Sequence, residues 1–259
     1  MSSELSPIDK AKYACAVKSV DFVKDGMRVG LGTGSTAAWM VKRLGERVRD
    51  EGLNIVAVAT STRTAQLAEE VGIKVSTLNE VEWLDLTIDG ADEFDPDLNL
   101  IKGGGGAHLQ EKVVATASER MIVIADAAKD VPQLGAFPLP VEVLNFGWKT
   151  TRGLIEEALE DLDVDGREIT LRMSGDEPFI TDEGNLVLDL HLKRIGDPRR
   201  MALILNQIPG VVENGLFIDI CDVVVIGHED GKVEVRGLGG QIMEEGTVDL
   251  GAPNLFKDI

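Results

Sequence analysis

The amino-acid sequence predicts an α/β fold, a Rossmann-like parallel sheet carrying a smaller inserted α+β domain of the split βαβ, ferredoxin-like type. Three observations predict it. Apolar strand-like runs alternate with helical patterns through the first half of the chain, the rhythm that builds a parallel sheet with helices on both faces. After FPLP at 137–140 the order becomes strand, helix, strand, strand, helix, strand, a split βαβ layout. An apolar run at 218–227 then returns as a strand fit to rejoin the first sheet. The expected boundaries are 1–137 together with 217–259 for the Rossmann-like domain and 138–216 for the insertion.

In chain order, MRVGLGT (27–33), NIVAVAT (54–60), LDLTIDG (84–90) and MIVIAD (121–126) are the short apolar runs expected as strands. TAAWMVKRLGERVRD (36–50), TRTAQLAEEVG (62–72) and EKVVATASE (111–119) carry the helical patterns between them. In the insertion, VEVLNF (141–146), EITLRM (168–173) and VVENGLF (211–217) read as strands, with a turn-linked pair at 179–192. Helices are expected at 149–162 and 197–208. The tail beyond Gly227 is Gly-rich and weakly patterned, and the sequence assigns it no role.

Composition narrows the function classes. A chain of 259 residues with 44% hydrophobic content can bury a sizeable core. No run approaches the roughly 20 apolar residues of a membrane span, and the N-terminus has no apolar signal core, so a cytoplasmic protein without membrane contact is expected. Asp and Glu number 45 against 26 Lys and Arg, a formal charge of −19. Such a field repels nucleic acid and acidic membranes. The acids are dispersed along the chain, the pattern of a solvated coat and one route to solubility in concentrated salt, so a halophilic source is an expectation. Cys15 and Cys221 lack metal-ligand spacing and read as small buried apolar residues.

In a parallel sheet, ligands gather at the carboxyl ends of the strands near a switch in strand order, so the loops after strands matter first. Thr33, Gly34, Ser35 and Thr36 follow a strand and open a helix. Free backbone N–H groups and the positive end of a helix dipole favour an anion there, and the hydroxyls add donors. The stretch also satisfies the dinucleotide fingerprint, but that site needs an acid at the end of the next strand. Here that strand ends in Thr60-Ser61, which suits a phosphate monoester better.

The strand 84–90 delivers Asp89, Gly90, Ala91 and Asp92 to the same edge. Two carboxylates on such a turn can bind sugar hydroxyls or carry protons. Lys102 precedes Gly103, Gly104, Gly105 and Gly106, and consecutive glycine N–H groups can form a nest for a developing oxyanion. Glu111 follows at the start of a helix, where it reads as a general base or a capping glutamate. For His108, beside this loop, substrate contact and a structural role both stand open. Lys129 ends the strand after 121–126 and can bind an anion. Metal readings fail: the stretch Asp95-Pro-Asp-Leu-Asn99 lacks the glycine and glutamate of a calcium loop, and His108, His191 and His228 have no paired spacing.

Taken together, GLGTGSTA, DGADEFD, IKGGGGAHLQEK, ADAAK and FPLPVEV, in this order and spacing, resemble the type A ribose-5-phosphate isomerase family. The resemblance implies an aldose-ketose isomerase of the pentose phosphate pathway that interconverts ribose 5-phosphate and ribulose 5-phosphate through an enediolate. It implies no metal or organic cofactor and a homodimer or homotetramer. It also implies that Glu111 is the base, with Asp89 and Lys102 as further catalytic residues. Substrate contacts are implied for Thr33 to Thr36, Asp89 to Asp92, Lys102 to Gly105, Lys129 and, from a less distinctive stretch, Lys12. The competing readings are a sugar-phosphate-sensing module without turnover and an NAD-dependent oxidoreductase. The first lacks a basic helix-turn-helix; the second lacks the ribose-binding acid.

Overall fold

Helix α1 (Pro7–Ser19) opens at an N-cap serine, Ser6, whose hydroxyl accepts from the Asp9 N–H at 3.2 Å. After it come β1 (Arg28–Leu31), α2 (Ser35–Asp50), β2 (Val56–Ala59), α3 (Thr62–Glu70), β3 (Lys74–Val75), α4 (Leu78–Val81) and β4 (Leu86–Gly90). The computed structural model describes residues 5–251. Two very short strands, β5 (Glu93–Phe94) and β6 (Leu100–Ile101), lead to α5 (His108–Thr116) and β7 (Met121–Asp126). Next are β8 (Leu139–Val143), α6 (Trp148–Glu160), β9 (Glu168–Leu171), β10 (Met173–Ser174), β11 (Glu177–Pro178), β12 (Leu186–His191), α7 (Pro198–Leu205), β13 (Val211–Asn214) and β14 (Leu216–Phe217). The chain closes on β15 (Val223–Gly227), β16 (Lys232–Arg236) and β17 (Ile242–Thr247).

Contacts divide the chain into two units: 1–90, 113–129 and 220–259 in the first, 91–112 and 130–219 in the second. The first unit holds an eight-stranded sheet in the order β17-β16-β15-β7-β4-β1-β2-β3. Its pairs from β3 to β15 are parallel, whereas β16 and β17 add antiparallel to one edge. The order reverses between β1 and β4, the switch point at which a doubly wound sheet opens a crevice. Leu31, Ile88, Ile122, Ile124 and Val225 of the strands pack with Met40 and Leu44 of α2 in its core. These strands read as continuous apolar runs because helices cover a parallel sheet on both faces.

The second unit carries an antiparallel sheet in the order β13-β8-β12-β9. With α6 and α7 between its strands, that is the split βαβ arrangement. Its core joins Leu139, Val141, Leu188 and Leu190 to Ile155, Leu159, Met201 and Leu205. Two details differ from the sequence reading. The run 211–217 is two strands: β13 pairs with β8, but β14 pairs with β6. The switch occurs at Gly215, where a Cβ would lie 2.2 Å from the Lys102 carbonyl oxygen. The segments 91–112 and 130–137 also lie with the second unit. Ile101 and Leu134 are in its core, and the buried Glu93 carboxylate accepts from the Gly135 N–H at 2.7 Å and the Phe137 N–H at 2.5 Å. Cys15 is buried and Cys221 only partly so. No helix among the described residues is long and apolar enough to cross a membrane.

Candidate active site

In the first unit the site is built on the switch point. The loop from β1 to α2 must run against β4, and Gly32 permits this: a Cβ there would sit 2.0 Å from Asp89 Oδ1. Gly34, at φ +116°, caps α2 in a conformation that side chains resist. Thr33 donates its N–H to Asp89 Oδ1 at 3.1 Å, and Gly90 donates to the same oxygen at 2.7 Å. Asp89 is fully buried. The Thr33 hydroxyl meets those of Thr60 and Ser61 at 2.8 Å, and Ser61 caps α3 by accepting from the Thr64 N–H. The hydroxyl pair that argued against a dinucleotide thus braces the loop. Lys12 of α1 donates to Ser35 Oγ at 3.0 Å, so a cation stands beside the N-terminus of α2. Gly34, Ser35 and Thr36 therefore present N–H groups, hydroxyls and an ammonium, the donor set for a phosphate. Lys129 follows β7 at the same carboxyl edge and is half-buried.

A cavity of about 450 Å³ also opens in this unit, lined by Pro7, Ala11, Asp126, Gly227, Glu229 and Asp230 among others. Three carboxylates in its lining make it a poor host for a phosphate, and the glycine loop is the better candidate.

In the second unit the catalytic candidates form a buried pair. Lys102 Nζ lies 3.3 Å from Glu111 Oε2, with both side chains nearly inaccessible. Glu111 stands in the first turn of α5, where the helix dipole favours its charged form. Between them the loop 103–106 closes through the Gly106 N–H donating to the Gly103 carbonyl at 2.9 Å. Gly104 donates its N–H to Asp92 Oδ2 at 2.7 Å. Asp92, Lys102, Gly103, Gly104 and Glu111 are thus brought together, with Ala91 just ahead of Asp92 and Gly105 exposed at the loop tip.

Three neighbours of this pair, Phe217, Lys112 and Arg172, are given no role by the sequence. Two ammonium groups lie over the Phe217 ring, Lys102 Nζ 5.4 Å and Lys112 Nζ 5.0 Å from its centroid. Lys112 also donates to Glu213 and to the Asn214 carbonyl, and burial lowers its pKa despite Glu213. Arg172 reaches the glycine loop from the strand region after β9. His108 is fully buried with its ring against Gly103, and burial pushes its pKa down to about 3. Its Nε2 is 4.0 Å from Glu142 Oε2, too long for a hydrogen bond. Burial in turn raises the Glu142 pKa, although Thr181 and Asn185 donate to its other oxygen. Asp95 is a turn residue: it accepts from the Asn99 N–H and side-chain amide at 2.9 Å. Among the described residues no three His, Cys, Asp or Glu gather as metal ligands.

Comparison with known proteins follows the same outline. The family described as ribose 5-phosphate isomerase A (phosphoriboisomerase A) matches residues 56–231. Ribose-5-phosphate isomerase A of Cereibacter sphaeroides is 68% identical over 260 aligned positions that span all of this chain and 99% of the relative. The chain belongs to the ribose 5-phosphate isomerase A family. Among solved structures, a D-ribose-5-phosphate isomerase in complex with phospho-erythronic acid superposes with a TM-score of 0.83 at 40% identity, covering 90% of this chain and 100% of that one. The isomerase A of Methanocaldococcus jannaschii gives 0.81 at 39% identity, covering 88% and 98%. Coverage this complete places both units of this chain inside the family fold.

Proposed function

We propose that this protein interconverts D-ribose 5-phosphate and D-ribulose 5-phosphate, the aldose-ketose step of the non-oxidative pentose phosphate pathway. The observation that carries the reading is the buried Lys102–Glu111 pair at 3.3 Å beside the glycine loop. Proton abstraction next to a carbonyl needs a carboxylate, and the enediolate it leaves needs cationic and N–H donors. Ring opening exposes the aldehyde. Glu111 removes the C2 proton, Lys102 and the amides of Gly103 and Gly105 hold the enediolate oxygens while the Gly104 amide holds Asp92, and Glu111 returns the proton to C1. Asp89, Gly90, Ala91 and Asp92 take the sugar hydroxyls, while Thr33, Gly34, Ser35, Thr36, Lys12 and Lys129 take the phosphate, whose binding energy positions the reacting carbons.

The chemistry calls for no metal or organic cofactor. A substrate carrying a phosphate dianion is retained where it is made, since burying such a charge in a bilayer is costly, which supports a cytoplasmic enzyme. Phe146, 93% exposed, and the uncovered apolar residues Leu238, Ile242 and Met243 are surfaces a second copy would cover, which supports a homodimer or homotetramer.

The test is ketose formation from ribose 5-phosphate by chelator-treated protein. Glu111→Gln keeps shape and hydrogen bonding but removes the base, so turnover falls by about 10²-fold to 10⁴-fold while substrate still binds. A folded Glu111→Gln that turns over near the wild-type rate names another base.

A further inference from the structure

A trans peptide unit is planar, so its carbonyl and its N–H point in opposite directions. Whatever grips the carbonyls of the glycine loop therefore decides where the following amides point. Arg172 Nη1 donates to the Gly103 carbonyl at 2.7 Å and to the Gly104 carbonyl at 3.2 Å. The N–H groups of Gly104 and Gly105 consequently face away from the guanidinium. The first of them donates to Asp92 Oδ2 at 2.7 Å, so that side of the loop is the side that carries Asp92.

Arg172 is itself fixed from three directions. Its Nε and Nη2 grip the Asp189 carboxylate of β12 as a fork, with Nε to Oδ2 at 2.9 Å. Its guanidinium stacks over the Phe179 ring, 5.9 Å from the centroid. Its own N–H donates to the Val187 carbonyl at 2.9 Å. Phe179 in turn closes on the far end of the loop, where a Cβ on Gly106 would lie 2.4 Å from its ring. One arginine, planar and with five donors, meets a carboxylate and two carbonyls at once; a lysine ammonium has neither the fork nor the reach to do so.

We propose that Arg172, oriented by Asp189, is a positioning residue for the isomerisation: it locks the 103–105 peptides so that the Gly104 amide holds the Asp92 carboxylate in place and the Gly105 amide faces the oxygens of the enediolate. This rests on the isomerase reading above. Arg172 acts through the backbone it holds, so its loss is felt where charge develops and not where the phosphate binds.

The experiment compares full-length wild type with Arg172→Lys, Arg172→Gln and Asp189→Asn. Expected for each variant is a kcat lowered about 10-fold to 100-fold, as for a misplacement of about 1 Å near the reacting atoms, with the KM for ribose 5-phosphate changed by less than about threefold. Calorimetric titration gives a readout independent of turnover. Phospho-erythronic acid, whose carboxylate imitates the paired enediolate oxygens, binds about 10-fold more weakly, whereas inorganic phosphate binds as to wild type. Absence of turnover in the wild type refutes the isomerase reading, and the titration still decides the role of Arg172. Folded variants that keep kcat within twofold and bind phospho-erythronic acid normally overturn the proposal. So does a loss of kcat matched by an equal loss of phosphate affinity, or a failure of all three variants to fold, which would make the pair a stability element.

Discussion

His108 illustrates how burial turns a residue's chemistry around. Its imidazole feels the charges of Lys112, Arg172 and Lys102, with the Glu142 carboxylate 4.0 Å away and the Glu213 backbone as a hydrogen-bond partner, and desolvation dominates, leaving it neutral down to about pH 3. An unfolded chain takes up that proton near pH 6.5. Above that pH both states are neutral and the group contributes no slope; below it the unfolded state binds the proton first, so native stability falls with falling pH until about pH 3. At pH 5 the loss amounts to at most about 2 kcal/mol. His108→Leu therefore shows a smaller drop in Tm between pH 7 and pH 5 than the wild type, read by circular dichroism. The raised Glu142 pKa works in the opposite sense, its contribution being lost as pH rises through the shifted value. An identical drop in wild type and variant would mean that His108 is protonated in the folded protein.

At the level of the strand and helix, the β1-to-α2 loop is set by close approach as much as by its N–H donors. A methyl group at Gly32 would overlap the Asp89 carboxylate at 2.0 Å and approach its backbone Cα at 2.5 Å. Gly32→Ala must part β1 from β4, an overpacking that destabilises by about 1–3 kcal/mol, and it disturbs the Thr33–Asp89 hydrogen bond as well. Gly153 makes the opposite case: it lies in the middle of α6, where an added methyl group would meet no heavy atom within 4 Å. Gly153→Ala gains helix propensity and raises stability by up to about 1 kcal/mol. Denaturant melts of the two variants should move in opposite directions; movement in the same direction would show that the close approach at Gly32 is not what holds the loop.

For the whole molecule the governing quantity is the charge of −19. Some of it is locally compensated, as where Arg194 pairs with Asp163 and Asp165, and Arg43 with Glu46 and Glu51. Acids still exceed bases by a wide margin, and self-repulsion opposes folding. The Debye length falls from roughly 10 Å at 0.1 M to about 3 Å at 1 M salt, so Tm should rise between dilute and molar KCl. A Tm independent of KCl would show that the acidic surface is neutral for stability and would remove the argument for a salt-adapted protein.

The sequence by itself determined the alternation of strands and helices, the return of an apolar strand to the first sheet, at 223–227 within the expected 218–227, and the two glycine loops with Asp89, Lys102 and Glu111 nearby as candidates. These are local signals: apolar periodicity, glycine runs and charges a few residues apart, each expressed within one turn of chain. Tertiary structure alone decided that 211–217 splits at Gly215 to pair with two different sheets, that Thr33 is braced by Thr60 and Ser61, and that Phe217 lies under Lys102 and Lys112. It also decided that Arg172, 69 residues from Gly103 along the chain, holds the loop. A lone arginine at the end of a short strand has no periodicity to betray it, and two of its partners are backbone carbonyls, which every residue carries; only folding chooses which of them it meets.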